Sequence, residues 1–224
     1  MNKWLIISII SLILPSCMMA QSTGNEKTSF AILGGVNFQN ITGDDVNGDK
    51  ISSSGIIGFH GGVRAMIPIA PEFYFQPGLL FSTKGSKNKS DLGTTSINLS
   101  YVEVPLNLVY KSKLGSGSIY LGFGPYVGYG IKGNTKFESS LGTLKSDVKF
   151  QNEVTDSDPL TSTYIKPLDV GGNVLVGYEM SGGLFLQLDT QLGLVNINPD
   201  DSRIPNNKSS LKNVGFGLSL GYSF

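Results

Sequence analysis

The last eleven residues, 214–224, constrain the fold of this chain more than any other stretch. Apolar side chains stand at every second position from Val214 to Phe224, and glycine or serine stands at each position between them. A period of two is that of a β-strand with one apolar face and one small, polar face. An amphipathic strand that closes on a C-terminal aromatic residue is typical of a transmembrane barrel, with lipid on the apolar face and the lumen on the other.

Seven upstream segments show the same alternation and supply partners for this strand. With residues 214–224 they give eight predicted strands, at 29–38, 57–67, 73–84, 98–110, 119–131, 168–180, 184–194 and 214–224. Their connections alternate between long polar loops and short turns, as in outer-membrane barrels with extracellular loops and periplasmic turns. The prediction is an all-β fold, an eight-stranded antiparallel up-and-down transmembrane β-barrel. A soluble lipocalin-like barrel is disfavoured, because the inward face is too small and charged to form an apolar ligand cavity.

The N-terminus reads as a targeting segment. Lys3 precedes a short apolar run at 4–14, and cleavage after Ala20 would leave a signal peptide of residues 1–20 and a barrel of residues 21–224. The alternative is a lipobox at 14–17, which would make Cys17 an acylated first residue. No long apolar segment follows, so a membrane protein of this sequence must cross as a closed barrel.

Composition excludes several classes of function. The formal net charge is zero, which gives no reason to expect a nucleic-acid partner. With one cysteine and one histidine, Cys17 and His60, the chain can form neither a disulfide framework nor a Cys/His zinc site. The spacing G-x-S-x-G occurs at 217–221, but there it lies inside the last predicted strand and not at the strand-to-helix turn of a nucleophile elbow, so we expect neither an enzyme nor a cofactor. The acidic loop at 44–49 lacks the closing Glu of a calcium loop, which favours a turn.

Charged residues on the inward faces form the candidate site. They are Arg64, Lys84, Glu103, Asp169, Glu179 and Asp189. An eight-stranded barrel has room for side chains and little else, and buried charges must be paired. The prediction is an ion-pair network that plugs the lumen, with Arg64 bonded to Glu103, Asp169 or Asp189. A narrow ion path or a proton-linked site is the functional alternative.

Two features of the backbone remain to be explained by the structure. Pro77, Pro105, Pro125 and Pro167 fall inside predicted strands, where a closed barrel has no free edge to accommodate them. We expect bulges or broken pairing at these positions. The polar stretch at 132–163 is expected to be an ordered cap or a mobile loop.

Four stretches together resemble the Bacteroidetes outer-membrane barrel family called "porin family" or PorT-like. They are residues 75–85, 101–105, 124–129 and 169–179, and the resemblance covers nearly all of the mature chain. Gly78 stands where that family usually carries an acidic residue, which removes one inward carboxylate. The resemblance implies a barrel in the cell outer membrane and says little about activity.

These observations lead to one expected function and several alternatives. We expect a monomeric outer-membrane barrel with a plugged lumen, acting as a structural or interaction barrel that displays extracellular loops. Its partners would be the lipid bilayer and extracellular or periplasmic proteins. The alternatives are an accessory component of a protein secretion or assembly system, as the PorT-like resemblance implies, and a small-solute channel or outer-membrane enzyme.

Overall fold

The computed structural model describes residues 27–205 and 207–224, and the expected signal peptide and Cys17 lie outside these ranges. The described residues form twelve strands. They are β1 (Ser29–Asp44), β2 (Ser54–Ala70), β3 (Phe73–Ser90), β4 (Gly93–Leu114), β5 (Gly117–Ser139), β6 (Gly142–Phe150), β7 (Glu153–Val154), β8 (Thr163–Ile165), β9 (Leu168–Glu179), β10 (Leu184–Gly193), β11 (Asp200–Asp201) and β12 (Ser210–Ser223). Among the described residues, no helix is long and apolar enough to cross a membrane.

Eight of these strands close into a ring. The order around it is β1, β2, β3, β4, β5, β9, β10 and β12, and β12 pairs with β1 to complete the barrel. Every neighbouring pair in the ring is antiparallel. The predicted eight-stranded up-and-down barrel is therefore confirmed, and the ring leaves no strand edge open to lipid.

The period of two assigns the faces of the strands. In β12, Phe216, Leu218 and Leu220 point outward, whereas Ser219 between them is fully buried in the lumen. Most outward positions of the other barrel strands are also large and apolar, as lipid requires, and the hydroxyl of the outward Thr190 bonds to Gly215 O at 3.1 Å. Short turns join the strands at the periplasmic end, and the chain makes its long excursions at the extracellular end.

Three of the four prolines interrupt the strand ladders at one level of the wall. A proline has no N–H to give to its neighbour. The pairing of β2 with β3 lapses at Pro77, that of β3 with β4 at Pro105, and that of β4 with β5 at Pro125. The expected broken pairing is present at these positions. The placement of Pro167 within a strand was wrong, because Pro167 precedes β9 and its carbonyl oxygen accepts a bond from Gly130 N at 2.7 Å.

A bulge in β2 is closed by side chains from the neighbouring strands. The ladder to β3 shifts register between Gly55 and His60. Thr83 Oγ1 accepts a bond from Phe59 N at 2.8 Å, and Asn37 Nδ2 donates to Thr83 O at 3.0 Å. A Cβ on Gly58 would lie 2.4 Å from both the Asn37 and Thr83 side chains, so only glycine lets them meet.

Within the stretch at 132–163, residues 132–150 are an ordered extension of the sheet, and a loop begins only after β6. β5 runs on to Ser139, beyond the predicted end at residue 131, and turns into β6. β6 then pairs in parallel with the short strand β8. This hairpin folds over the extracellular mouth of the barrel, so that the cap alternative describes it better than the mobile loop.

Candidate functional site

The extracellular half of the lumen is organised around the ammonium group of Lys84. This side chain is fully buried, and its Nζ lies 2.6 Å from Glu103 Oε1 and 2.9 Å from Asp169 Oδ2. It also lies 4.4 Å from the centre of the Tyr126 ring. β3, β4, β5 and β9 supply these groups, because the inward face of each strand carries one of them at the same level. One ammonium group therefore bridges two carboxylates, and we call this set the Lys84 layer.

Neutral side chains complete the bonding of the two carboxylates. Asn213 Nδ2 donates to Asp169 Oδ2 at 2.9 Å, and the Tyr126 hydroxyl donates to Asp169 Oδ1 at 3.3 Å. Gln191 Nε2 donates to Glu103 Oε2 at 3.1 Å. Buried charges that are both paired and hydrogen-bonded are the kind that a lumen can hold. Asn213 and Gln191 were not predicted as site residues. Gln191 lies at an inward position of the predicted strand 184–194, and Asn213 lies directly before the predicted strand 214–224.

Arg64 lies in the periplasmic half of the lumen and has a different environment. Its guanidinium stacks over the Phe185 ring at 4.0 Å and the Tyr120 ring at 5.2 Å. It donates to Gln187 Oε1 and to the Tyr120 hydroxyl. Among the described residues it forms no salt bridge, so the prediction that it bonds to Glu103, Asp169 or Asp189 was wrong. The reason is axial level, since the two carboxylates that pair with Lys84 lie nearer the extracellular end.

The remaining two predicted site residues lie apart from the Lys84 layer. Glu179 is at the periplasmic end of β9, where its Oε1 pairs with Lys111 Nζ at 2.7 Å. Lys111 was missed because it lies one residue beyond the predicted end of its strand. Asp189 is partly buried on β10 and lines the middle of the lumen with His60. The six predicted residues thus divide among several levels instead of forming one network.

Between the Lys84 layer and the Arg64 side chain lies a small polar cavity. Its volume is about 50 Å³, and amide side chains from several strands line it. Four of these amides, Asn37, Gln39, Gln76 and Asn173, have a buried atom with no protein partner. Such atoms need hydrogen bonds, and the cavity has room for a few water molecules that could supply them. His60 Nε2 and Ser219 Oγ are 2.7 Å apart at its wall.

Apolar residues seal both ends of this polar interior. On the periplasmic side the Phe185 and Tyr120 rings that contact Arg64 pack with other apolar residues, which include Leu33, Met66, Val109 and Leu175. On the extracellular side the seal includes Val148 of β6, Ile165 of β8 and Ile197 of the last loop, packed against Leu99 and Tyr101. The seal on the extracellular side was not predicted, because Val148, Ile165 and Ile197 lie in segments without a long apolar alternation.

The extracellular segments are tied to each other above this seal. β7 pairs with β11, which joins the long excursion after β6 to the last loop. Arg203 forms a bidentate pair with Asp201, with Nε–Oδ1 at 2.8 Å and Nη2–Oδ2 at 2.7 Å. The hydrogen bond from Arg203 lowers the pKa of Asp201, and Arg203 Nη1 also donates to Asp158 O at 3.2 Å. We call residues 151–166, 196–205 and 207–209 together the loop platform.

This arrangement of a closed antiparallel ring, a lipid-facing apolar wall and a polar interior defines an outer-membrane β-barrel protein. A family model described as outer membrane protein beta-barrel domain matches residues 19–198. The chain belongs to this family, and the predicted location in the outer membrane is confirmed. No curated protein matches the sequence.

Solved structures of small surface barrels are similar to the chain at low sequence identity. The attachment invasion locus protein Ail of Yersinia pestis is 14% identical, with a TM-score of 0.40, 89% of this chain covered and 100% of that chain. Neisserial surface protein A is 12% identical, with a TM-score of 0.43 and the same two coverages of 89% and 100%. The family assignment rests on the model match.

Proposed function

We propose that this chain is a closed display barrel, which holds an ordered set of extracellular segments at the cell surface and conducts no solute. The observation that carries the proposal is the sequence of barriers along the lumen. A solute would have to pass the extracellular seal, the Lys84 layer and the periplasmic seal around Arg64. Each of these barriers consists of buried side chains from several strands. Eight-stranded barrels have interiors just wide enough for such filling.

The loop platform supports the display role. Its two segments are joined by backbone pairing and by the Arg203–Asp201 ion pair, so they present a defined surface rather than separate loops. Rigid scaffolds that position exposed loops are a common way to build recognition surfaces. In this proposal the barrel serves as an anchor, and the exposed segments make the contacts with extracellular partners.

Planar-bilayer recording tests the closed lumen. We expect the purified and refolded barrel to show no steady conductance above that of the bilayer. A Val148→Ser/Ile165→Ser variant provides a comparison, because it weakens the extracellular seal and leaves the eight strands of the ring intact. A large steady conductance of the wild-type barrel would reject the display proposal in favour of the small-solute channel.

The PorT-like resemblance keeps a second role under consideration, that of an accessory component of a secretion or assembly system. Deletion of the gene followed by comparison of secreted proteins separates the two roles. The display role predicts an unchanged set of secreted proteins and an altered cell-surface interaction. Loss of a group of secreted proteins from the medium would favour the accessory role.

Three further properties are part of the proposal. Residues 1–20 are a signal peptide, the barrel acts as a monomer, and the chain is not an enzyme. The last point is supported by the position of the His60–Ser219 pair, which lies within the lumen between the two sealed ends. A substrate large enough to be a lipid or a peptide has no room beside that pair in a cavity of about 50 Å³.

A further inference from the structure

Lysines gather on one face of the sheet extension above the barrel. β3, β4 and β5 have 18, 22 and 23 residues, about twice the number that a strand needs to cross the bilayer. Their upper parts continue as a four-stranded sheet with β6. One side of that sheet, which we call the lysine face, carries Lys87, Lys89, Lys132, Lys136 and Lys145.

The strand register places these lysines side by side. Lys87 pairs with Ser96, Ser96 pairs with Lys136, and Lys136 pairs with Lys145. Residues directly opposite in antiparallel strands share a face. One row across the sheet therefore holds three lysines. The neighbouring row contains Lys89 and Glu138, and Lys132 stands closer to the barrel.

This concentration of positive charge is unfavourable for the fold by itself. Like charges directly opposite each other destabilise a strand pair, and Lys136 and Lys145 are such a pair. Glu138 compensates in part, with its Oε1 at 2.6 Å from Lys136 Nζ. Glu138 and Asp147 are the carboxylates that the register places on this face against five lysines. An external anion would supply the missing negative charge.

The position of the lysine face indicates what that anion is. Along β3, Phe81, Thr83, Lys87 and Lys89 lie on the same side of the strand, so the lysine face continues the lipid-facing wall. On β3 and β4 the apolar wall ends at the row of Phe81 and Val102, and on β5 it ends at Ile131, directly before Lys132. Lys89 lies roughly 20 Å above that row, for a rise of about 3.4 Å per residue and a strand tilt near 40°. The lysines therefore lie between roughly 5 and 20 Å above the apolar wall, which is more than the roughly 5–8 Å of a phospholipid headgroup layer and requires a lipid whose headgroup carries sugars.

We propose that the lysine face binds the phosphate groups of an anionic glycolipid in the outer leaflet of the membrane. Clusters of lysines that lie next to a bilayer attract anionic headgroups in this way. The ligand lies beside the barrel, so this inference is independent of the display role and of the closed lumen. It assigns one side of the extracellular extension to the membrane and leaves the loop platform for other partners.

A titration with lipid A tests the proposal. The purified barrel in non-ionic detergent is titrated with phosphorylated lipid A and, separately, with dephosphorylated lipid A. The test variant K87Q/K89Q/K145Q removes three charges from the lysine face and spares the Lys136–Glu138 pair. The matched control K50Q/K208Q/K212Q removes three charges from the other side of the extracellular end. Gel mobility before and after boiling verifies that each variant is folded.

The expected result is selective loss of binding. The test variant binds phosphorylated lipid A about tenfold or more weakly than wild type, and the control stays within about twofold. Added salt weakens the wild type more than the test variant, since exposed charges are screened. Equal loss in both variants, no loss in either, or equal wild-type affinity for the two lipids would overturn the proposal.

Discussion

The lumen holds two buried cations that are stabilised by different means. Lys84, near the extracellular end, is fully buried between two carboxylates at 2.6 and 2.9 Å. Arg64, near the periplasmic end, is also buried but stacks on two aromatic rings and bonds to an amide and a phenol. A compact ammonium group accepts two carboxylates as a point charge, whereas a planar guanidinium is suited to stacking on rings.

The comparison shows that closure of the lumen does not depend on a single kind of contact. The Lys84 layer relies on ion pairing of one ammonium group with two carboxylates, so each of its members depends on the others. The Arg64 site instead relies on packing of the guanidinium against Phe185 and Tyr120, which are both neutral. The stability of the barrel should therefore fall by very different amounts when Lys84 and Arg64 are replaced.

The largest effect is expected from Lys84→Met. This change removes the only cation bonded to Glu103 and Asp169 among the described residues and leaves both carboxylates buried. Stranding one side of a buried ion pair costs roughly 3–5 kcal/mol. Urea unfolding of the refolded barrel, followed by gel mobility and circular dichroism, measures the loss.

A triple variant provides the control for that prediction. Lys84→Met combined with Glu103→Gln and Asp169→Asn replaces the charges by neutral groups of similar shape. It should recover much of the lost stability, because replacing both partners of a buried pair is far less costly than removing one. If the triple variant were no more stable than Lys84→Met, ion pairing would not explain the Lys84 layer.

A smaller effect is expected from Arg64→Met. Methionine keeps the apolar contact with the rings, and the Tyr120 hydroxyl still reaches Gln187 Oε1 at 3.3 Å. We expect a loss of about 1 kcal/mol in the free energy of unfolding, the usual size of a cation–π contact. A double-mutant cycle with Phe185→Leu measures the coupling directly. A loss as large as that of Lys84→Met would place an ion pair at Arg64 and remove the contrast.

The alternation of apolar and polar residues was sufficient to predict the barrel and the faces of its strands. Because lipid lies on one side of each strand and a packed lumen on the other, apolar residues recur at every second position, as at Phe216, Leu218 and Leu220. The axial level of a side chain is another matter, because it depends on the stagger between strands that are distant in sequence. Arg64 and Asp169 are 105 positions apart, and nothing local indicates that they lie at different heights.

The extracellular extension was hidden from the sequence for a related reason. Residues 132–150 are polar on one face and only weakly apolar on the other, which resembles a loop. Their pairing follows from the continuation of β4 and β5 above the membrane, where Leu99, Val148 and Ile165 gather over the lumen. The seal is a product of tertiary packing between short segments and has no periodic signal.

The smallest effect is expected on the loop platform as pH falls. The Arg203 hydrogen bond lowers the pKa of Asp201 in the folded state below its unfolded value, which is about 3.9. The contribution of Asp201 is therefore complete above that unfolded value and is lost as pH falls through the folded pKa. Hydrogen exchange of the loop platform should rise below about pH 4, while the barrel strands stay protected. Asp201→Asn should weaken this pH dependence and leave the part that Asp158 contributes, because a backbone hydrogen bond from Thr155 lowers the pKa of Asp158 as well. Persistence of the full effect in Asp201→Asn would assign it to another group.

Access of a thiol reagent to the middle of the lumen tests the closure of the barrel most directly. Residues 21–224 contain no cysteine, so Asn107→Cys introduces a single thiol at the central cavity and Ser140→Cys introduces one at an exposed turn. In the folded barrel, a bulky charged reagent should label Ser140→Cys rapidly and Asn107→Cys only after unfolding in urea. Labelling of folded Asn107→Cys as fast as Ser140→Cys would show an open path and contradict the sealed lumen.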